Sequence, residues 1–430
     1  MKRIGIVSLG CAKNLVDSEM ILGMLKDGGY EIVNNPSDAD AIIVNTCGFI
    51  LDAKQESIDT ILEMAKYKKK LIVVGCLAQR YEEDLKKELP EVDLFVSIRD
   101  YPHIAERINA LFNDNSLQKG LCPTSRVLAT PKFTAYLKIS EGCNNCCTYC
   151  AIPLIRGSFR SRPLDELIEE AKMLASRGVK ELVVISQDTT RYGTDIDDKT
   201  TIVTLLNELL KIKEFDYIRM LYLYPNEITD ELLALIGKEK RLTPYFDMPI
   251  QHASSRILKA MNRRGDKEFL KVLFERTRKF IPNAVLRTTI IVGFPGETEE
   301  DFNELLEFIQ EVQFDHLGAF TYSREEDTIA YSMDNQIEDS IKNDRLNRLM
   351  KVQRKISYDL NKKRIGEIME GLIVAKKGSD NYEFRSGWNA PDDVDGKILV
   401  TSRKPLDLGD KVKVKITDAF AYDLYGEVLN

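Results

Sequence analysis

Cysteines carry most of the chemistry this chain can do. The densest group is Glu141-Gly-Cys143-Asn-Asn-Cys146-Cys147-Thr-Tyr-Cys150-Ala-Ile-Pro153, in which Cys143, Cys147 and Cys150 stand at C-x3-C-x2-C spacing. Three thiolates can hold three irons of a four-iron cluster and leave the fourth open, whereas a closed electron-transfer cluster takes four cysteines. An open iron can bind a substrate. Zinc would want a fourth protein ligand, and the neighbourhood offers no histidine. Cys146 stands at C-x3-C spacing from Cys150, but the next place in that register is Pro153, so it reads as a non-ligand thiol.

A second set is scattered. Cys11, Cys47 and Cys76 each close a short apolar run, IGIVSLGC, AIIVNTC and LIVVGC. If those runs are neighbouring parallel strands, the three thiols converge at the carboxyl edge, where such sheets gather ligands. That reads as a second three-thiolate cluster with one open iron. Cys122, beside Pro123, reads as inert.

The elements needed to position these residues are legible in the apolar periodicity. Strands at 2–8, 41–45, 71–75 and 92–96 alternate with helices near 14–28, 50–67, 79–89 and 101–112, which predicts a parallel α/β sheet. Residues 113–126 are rich in turn formers and mark a boundary. Six further strands, at 133–139, 182–186, 217–222, 245–248, 286–292 and 314–321, alternate with helices such as 163–176 and 299–310, predicting a (βα)6 partial barrel. The first cysteine group follows its first strand. Residues 337–364 form one helical stretch with nine Lys or Arg against four Asp or Glu, read as a solvated connecting helix. Five short strands after residue 366 predict a small all-β barrel. The domains are thus 1–125, 126–365 and 366–430.

At 430 residues, 43% hydrophobic and 30% charged, the chain is an ordinary globular protein, too long for a lone module and too poor in cysteine for a disulfide scaffold. Its net charge of −7 excludes the overall basic field of a nucleic-acid binder. No apolar run reaches signal-peptide or membrane length, which predicts a cytoplasmic protein that does not meet the membrane. There is no Walker loop, no G-x-G-x-x-G and no Ser-His-Asp arrangement. Gly293-Phe-Pro-Gly296-Glu297 is either a turn that lets backbone approach a ligand or a plain turn. His103 and His316 read as packing or surface residues, and His252 as a candidate pocket residue.

C-x3-C-x2-C in the first loop of a six-unit βα barrel resembles the radical S-adenosylmethionine superfamily. The resemblance implies that Cys143, Cys147 and Cys150 ligate a [4Fe-4S] cluster whose open iron binds S-adenosylmethionine, cleaved by one electron to a 5′-deoxyadenosyl radical. It also implies that Tyr149 lies over the adenine, that Gln187 and Asp188 approach the methionine end, and that Gly293, Gly296 and Glu297 border the adenosine. The whole chain, with its three-cysteine N-terminal domain and small terminal barrel of the TRAM kind, looks like the methylthiotransferases. There a second [4Fe-4S] cluster, here on Cys11, Cys47 and Cys76, carries sulfur that one S-adenosylmethionine methylates, while another generates the radical.

Two segments, Ser8-Leu-Gly-Cys11-Ala-Lys-Asn14-Leu-Val-Asp17-Ser-Glu19 and Asn389-Ala-Pro391-Asp-Asp-Val-Asp395-Gly396, resemble the branch that methylthiolates the β-carbon of an aspartate in small-subunit ribosomal protein twelve. The chain departs from that pattern at Cys146, where arginine is expected, and at Asp392-Asp393. Residues 366–430 hold nine Lys or Arg and twelve Asp or Glu, a balance that suits a basic ribosomal protein, free or in an assembled subunit, better than RNA. Asp392, Asp393 and Asp395 are read as an exposed acidic loop, and Trp388 as either a core anchor or a substrate-contacting aromatic. The alternatives are a tRNA-adenosine methylthiotransferase and a non-catalytic two-cluster electron carrier. The favoured branch implies an electron donor such as a flavodoxin or ferredoxin, a sulfur donor, and a monomer.

Overall fold

The computed structural model describes residues 1–112, 125–197 and 199–429. Cys122 and most of the 113–126 boundary lie outside the described residues. The chain forms two compact units, one of Met1–Pro131, Tyr136–Asn144 and Cys150–Ala171, the other of Lys132–Ala135, Asn145–Tyr149 and Lys172–Asn430.

The first unit opens with β1 (Arg3–Ser8), α1 (Ala12–Asp27), β2 (Glu31–Ile32), β3 (Ala41–Thr46), α2 (Leu51–Ala65), β4 (Lys70–Gly75), α3 (Cys76–Glu88), β5 (Leu94–Val96) and α4 (Ile104–Leu111). The sheet order is β2-β1-β3-β4-β5, with every pair parallel. Alternate strand residues pack on opposite faces: Ile43, Ile72 and Val74 join one apolar cluster, and Ile42, Val44, Leu71 and Val73 the other. A sheet buried on both faces reads as continuous apolar runs, which is why β1, β3 and β4 were plain in the sequence. Two details differ. β2 has only two residues, and the helix expected over 101–112 begins as a 3-10 turn at Ile98–His103, where Pro102 has no N–H to give an α-helical ladder. The unit continues with β6 (Thr134–Lys138), β7 (Ser140–Glu141), α5 (Ile152–Arg156), β8 (Arg160–Ser161) and α6 (Leu164–Ser176); β7 and β8 pair antiparallel.

The second unit takes in the start of β6, where the Phe133 carbonyl accepts from the N–H groups of Lys180 and Glu181. It continues with β9 (Glu181–Ile185), α7 (Ile202–Leu209), β10 (Tyr217–Met220), α8 (Asp230–Lys238), β11 (Tyr245–Asp247), α9 (Ser255–Ala260), α10 (Lys267–Phe280), β12 (Val285–Val292), α11 (Glu299–Val312) and β13 (His316–Thr321). The six expected strands are present, but as two three-stranded sheets, β10-β9-β6 and β11-β12-β13. Pro244, lacking an amide N–H, precedes β11, and Ile218 and Leu242 make only an isolated parallel bridge there.

The basic stretch is α12 (Asp339–Lys363), which buries Leu349, Gln353, Ile356 and Ser357 on one side. Then come β14 (Ile368–Lys376), β15 (Asn381–Ser386), β16 (Ile398–Thr401), β17 (Lys411–Ala419) and β18 (Leu424–Val428), closed into a barrel in the order β14-β15-β16-β18-β17. Trp388 is a core residue, 3% exposed, with its ring edge-on to His316 at 4.7 Å and its carbonyl accepting from His316 Nε2 at 2.7 Å. The acidic loop needs correcting. Asp392 and Asp393 are exposed, but the Asp395 side chain is 1% exposed and accepts from Tyr245 Oη at 2.6 Å and Ala390 N at 2.9 Å, with Arg287 Nε 3.3 Å away. Its carboxylate pins the loop instead of facing solvent. No helix among the described residues is long and apolar enough to cross a membrane.

Candidate functional site

In the first unit Cys11, Cys47 and Cys76 follow β1, β3 and β4, three adjacent strands of one sheet, and so share its carboxyl edge. Cys11 is exposed at the N-cap of α1, Cys47 is half-buried, and Cys76 is the buried first residue of α3. The surrounding polar side chains fix the strand ends. Asn14 Nδ2 donates to Leu9 O at 3.1 Å and Thr46 O at 3.0 Å, tying the loops after β1 and β3 together. Asn45 Nδ2 donates to Asn14 O at 2.8 Å, and Ser57 Oγ holds both Cys47 N and Cys47 O. Gly10 and Gly75 have φ of 84° and 98°; a Cβ on Gly10 would stand 3.3 Å from Cys47 Sγ, and one on Gly75 2.4 Å from Asn45 Oδ1.

Behind Cys76 lies a buried polar group. Arg156 Nη2 donates to Asn14 Oδ1 at 2.5 Å and to Cys76 Sγ at 3.4 Å, and Nη1 donates to Asp17 Oδ2 at 2.7 Å and Glu141 Oε2 at 3.1 Å. Lys138 Nζ bonds Asp17 and reaches Glu141 Oε2 at 2.8 Å. Glu19 accepts from the buried Arg126 and from Ala129 N at 2.7 Å. Burial pushes the Cys47 thiol up to about 11 and raises Cys76 against the pull of Arg156. Asn14 and Asp17, quoted in the sequence only within a signature, therefore build the cysteine edge, while Glu19 of the same segment anchors Arg126 and the Ala129 backbone. Arg156 and Lys138 were not foreseen; a buried arginine six residues after Cys150 had no local pattern to reveal it.

Of the loop thiols, Cys143 and Cys150 belong to the first unit and Cys147 to the second. Cys143 N donates to Gly157 O at 3.2 Å, and Gly142, at φ 78°, has Ser158 O where a Cβ would sit, 2.2 Å away. Cys146 is exposed at φ 50° and its carbonyl accepts from Asn262 Nδ2. Among the described residues no group of three His, Cys, Asp or Glu could hold a single metal ion. In a cluster each thiolate meets a different iron, so its donors stand farther apart than those of one ion.

In the second unit the residues around Cys147 are tied to three strand ends. Asp188, after β9, is buried, which raises its carboxyl, and accepts from Asn145 Nδ2 at 2.8 Å and Thr190 Oγ1 at 2.9 Å. Gln187 beside it is half-buried. Tyr149 packs against the apolar cluster of Ile257, Met261, Phe294, Tyr322 and Ala330, and Phe294 belongs to the 293–297 turn, so both expected adenosine contacts share one patch. Gly293 and Gly296 have φ of 74° and 79°. Glu297 is buried and holds that turn: Oε2 accepts from Gly293 N at 2.8 Å and Oε1 from Arg345 Nη1 at 2.9 Å. His252 is buried, its Nδ1 accepting from Ser254 N and its Nε2 3.6 Å from Glu297. Arg263, unforeseen, stacks on Tyr224 and points Nη1 at Cys147 Sγ (3.8 Å) and Tyr149 Oη (3.4 Å).

Residues 3–97 match the uncharacterized protein family UPF0004, residues 137–309 the radical SAM superfamily, and residues 365–429 the TRAM domain. The ribosomal protein uS12 methylthiotransferase RimO of Caldicellulosiruptor saccharolyticus is 49% identical over 442 residues, covering 100% of both chains. This chain belongs to the uS12 methylthiotransferase family. It is a radical S-adenosylmethionine enzyme of that family, whose cofactors are two [4Fe-4S] clusters and S-adenosylmethionine. The family's Clostridium botulinum member is 50% identical over 439 residues, covering 99% of this chain and 98% of its own. In fold the chain is similar to the radical S-adenosylmethionine methyltransferase TsrM of Kitasatospora setae (TM-score 0.58, 12% identity, 91% of this chain and 81% of that one). It is also similar to the enzyme OxsB (TM-score 0.52, 12% identity, 82% and 56%).

Proposed function

We propose that this protein transfers a methylthio group to the β-carbon of an aspartate in ribosomal protein uS12, with Cys11, Cys47 and Cys76 holding one cluster and Cys143, Cys147 and Cys150 the other. The observation that carries the reading is the convergence of Cys11, Cys47 and Cys76 on one sheet edge, in a chain with a separate C-x3-C-x2-C loop. The residues present fit a cluster: soft donors, two of them at helix N-termini, and a buried Tyr101 Oη that has no partner among the described residues and feels the charges of Asp17, Arg156 and Cys76. When bound, the clusters and S-adenosylmethionine supply reductive cleavage, hydrogen removal from an unactivated carbon, and carriage of sulfur.

The chain's own residues do the positioning. Asn14, Asn45 and Ser57 fix the strand ends that present the first three thiols. Tyr149 and the 293–297 turn form the apolar patch for the adenosine, Glu297 keeps the turn's amides in place, and Gln187 and Asp188 stand at the methionine end. Domains at 1–125, 126–365 and 366–430 divide sulfur carriage, radical formation and substrate docking. The barrel, net −3 by the count above, suits a basic ribosomal protein, free or within the subunit, through exposed carboxylates such as Asp392 and Asp393. The protein works as a cytoplasmic monomer, with a flavodoxin or ferredoxin as reductant and a separate sulfur donor. Incubating the reconstituted protein with S-adenosylmethionine, a reductant and either uS12 or tRNA tests this: a methylthio mass increment on a uS12 aspartate is expected, and one on tRNA alone overturns it.

A further inference from the structure

We propose that Arg156 is the positioning residue of the N-terminal cluster: its guanidinium holds the Cys76 sulfur in place and sets that cluster's reduction potential. The inference rests on the reading that Cys11, Cys47 and Cys76 bind a cluster. Arg156 is 2% exposed and divides its planar fork between two tasks. Nη1 meets the Asp17 and Glu141 carboxylates, while Nη2 meets Asn14 Oδ1 and Cys76 Sγ.

Two cations, Arg156 and Lys138, already balance two anions, Asp17 and Glu141, so charge neutrality does not call for the contact with sulfur. Buried ion pairs add little net stability over apolar packing, which leaves the stability of the fold as a weak reason for this arrangement. A hydrogen bond to a cluster's sulfur is one of the levers that set its potential, because it stabilises the more negative, reduced state. Asn14 links the same fork to Leu9 O after β1 and to Thr46 O at the end of β3, and Ala151 and Ile155, at the cap and in the body of α5, pack with Cys76 and Ile98, so the donor is held against its acceptor. Lysine could not replace it. A single ammonium keeps the charge beside the carboxylates but cannot span them and the sulfur together.

The test is Arg156→Lys in the full-length reconstituted protein, with redox titration of both clusters followed by electron paramagnetic resonance. The N-terminal cluster should titrate at a more negative potential than in the parent, while the cluster of the 143–150 loop keeps its value. Selective loss of N-terminal iron, with the other cluster retained and the unfolding midpoint near the parent's, also supports the role. Glu170→Gln serves as control: it disturbs the Arg126–Glu170 pair of the same unit without touching a cysteine and should leave both potentials alone. Parent potentials in R156K, or equal shifts in R156K and E170Q, would overturn the proposal. A parent protein that binds no iron at Cys11, Cys47 and Cys76 would instead refute the reading beneath it.

Discussion

Cys143, Cys147 and Cys150 lie within one eight-residue stretch, whereas Cys11, Cys47 and Cys76 follow three strands and stand 36 and 29 residues apart. The first set depends on one loop, whose turns rest on Gly142 and Gly157 at positive φ. The second depends on the register of β1, β3 and β4 and on a buried polar group drawn from residues 14 to 156. A local set keeps its spacing whatever the rest of the fold does, although Asp188, Asn262 and Arg263 brace its loop from outside. A set assembled by the fold can be damaged from far away in sequence, and by changes that touch no cysteine.

The largest effect should come from the local set. Cys143→Ala, Cys147→Ala and Cys150→Ala together should abolish 5′-deoxyadenosine formation in a chromatographic assay, while Cys146→Ala, an exposed thiol outside the spacing, should retain it. Residual cleavage in the triple variant would break the assignment.

The next effect falls on the terminal barrel. Asp395→Lys puts a second cation against Arg287 and removes the acceptor of Tyr245 Oη; breaking a buried pair of this kind costs about 3–5 kcal/mol, readable in denaturant unfolding. Asp392→Lys with Asp393→Lys, both exposed, should change stability by no more than about 0.5 kcal/mol. That pair should instead weaken uS12 binding, lower the product formed per S-adenosylmethionine cleaved, and reduce the salt dependence of binding. Equal stability losses in the two variants would restore the reading of Asp395 as a surface residue.

A pH effect sharpens the contrast within the first unit. Burial alone would raise Glu170, but Arg162 and Arg126 outweigh it and hold its carboxyl below the ordinary 4.5. A depressed carboxylate contributes stability that is present above pH 4.5 and lost as pH falls below it. Glu170→Gln should therefore flatten the acid limb of the unfolding profile, at the expense of stability near neutrality. An unchanged acid limb would remove this pair from the acid response.

The sequence made the fold legible where burial imposes continuous apolar runs, as in β3 and β4, and where spacing is local, as in the 143–150 loop. It did not reveal β2, two residues long, nor the division of the six barrel strands into two sheets, between β10 and β11. Trp388 and Asp395 were ambiguous or misread for one reason: a single aromatic or carboxylate in a loop has no periodicity to tell inside from outside. Arg156 was invisible because its partners, Asn14, Asp17 and Cys76, meet it only in three dimensions. Asn14, Asp17 and Glu19 were conspicuous as a pattern, but their partners, the strand ends for Asn14, Arg156 for Asp17 and Arg126 for Glu19, needed coordinates.

The account turns on two cysteine sets with separate jobs, and one experiment addresses that division directly. Cys11→Ala, Cys47→Ala and Cys76→Ala are combined, the remaining cluster is reconstituted, and 5′-deoxyadenosine and methylthiolated uS12 are measured in the same reaction by mass spectrometry. The account predicts continued 5′-deoxyadenosine formation with no methylthio increment on uS12. Methylthiolated uS12 from that variant would contradict it.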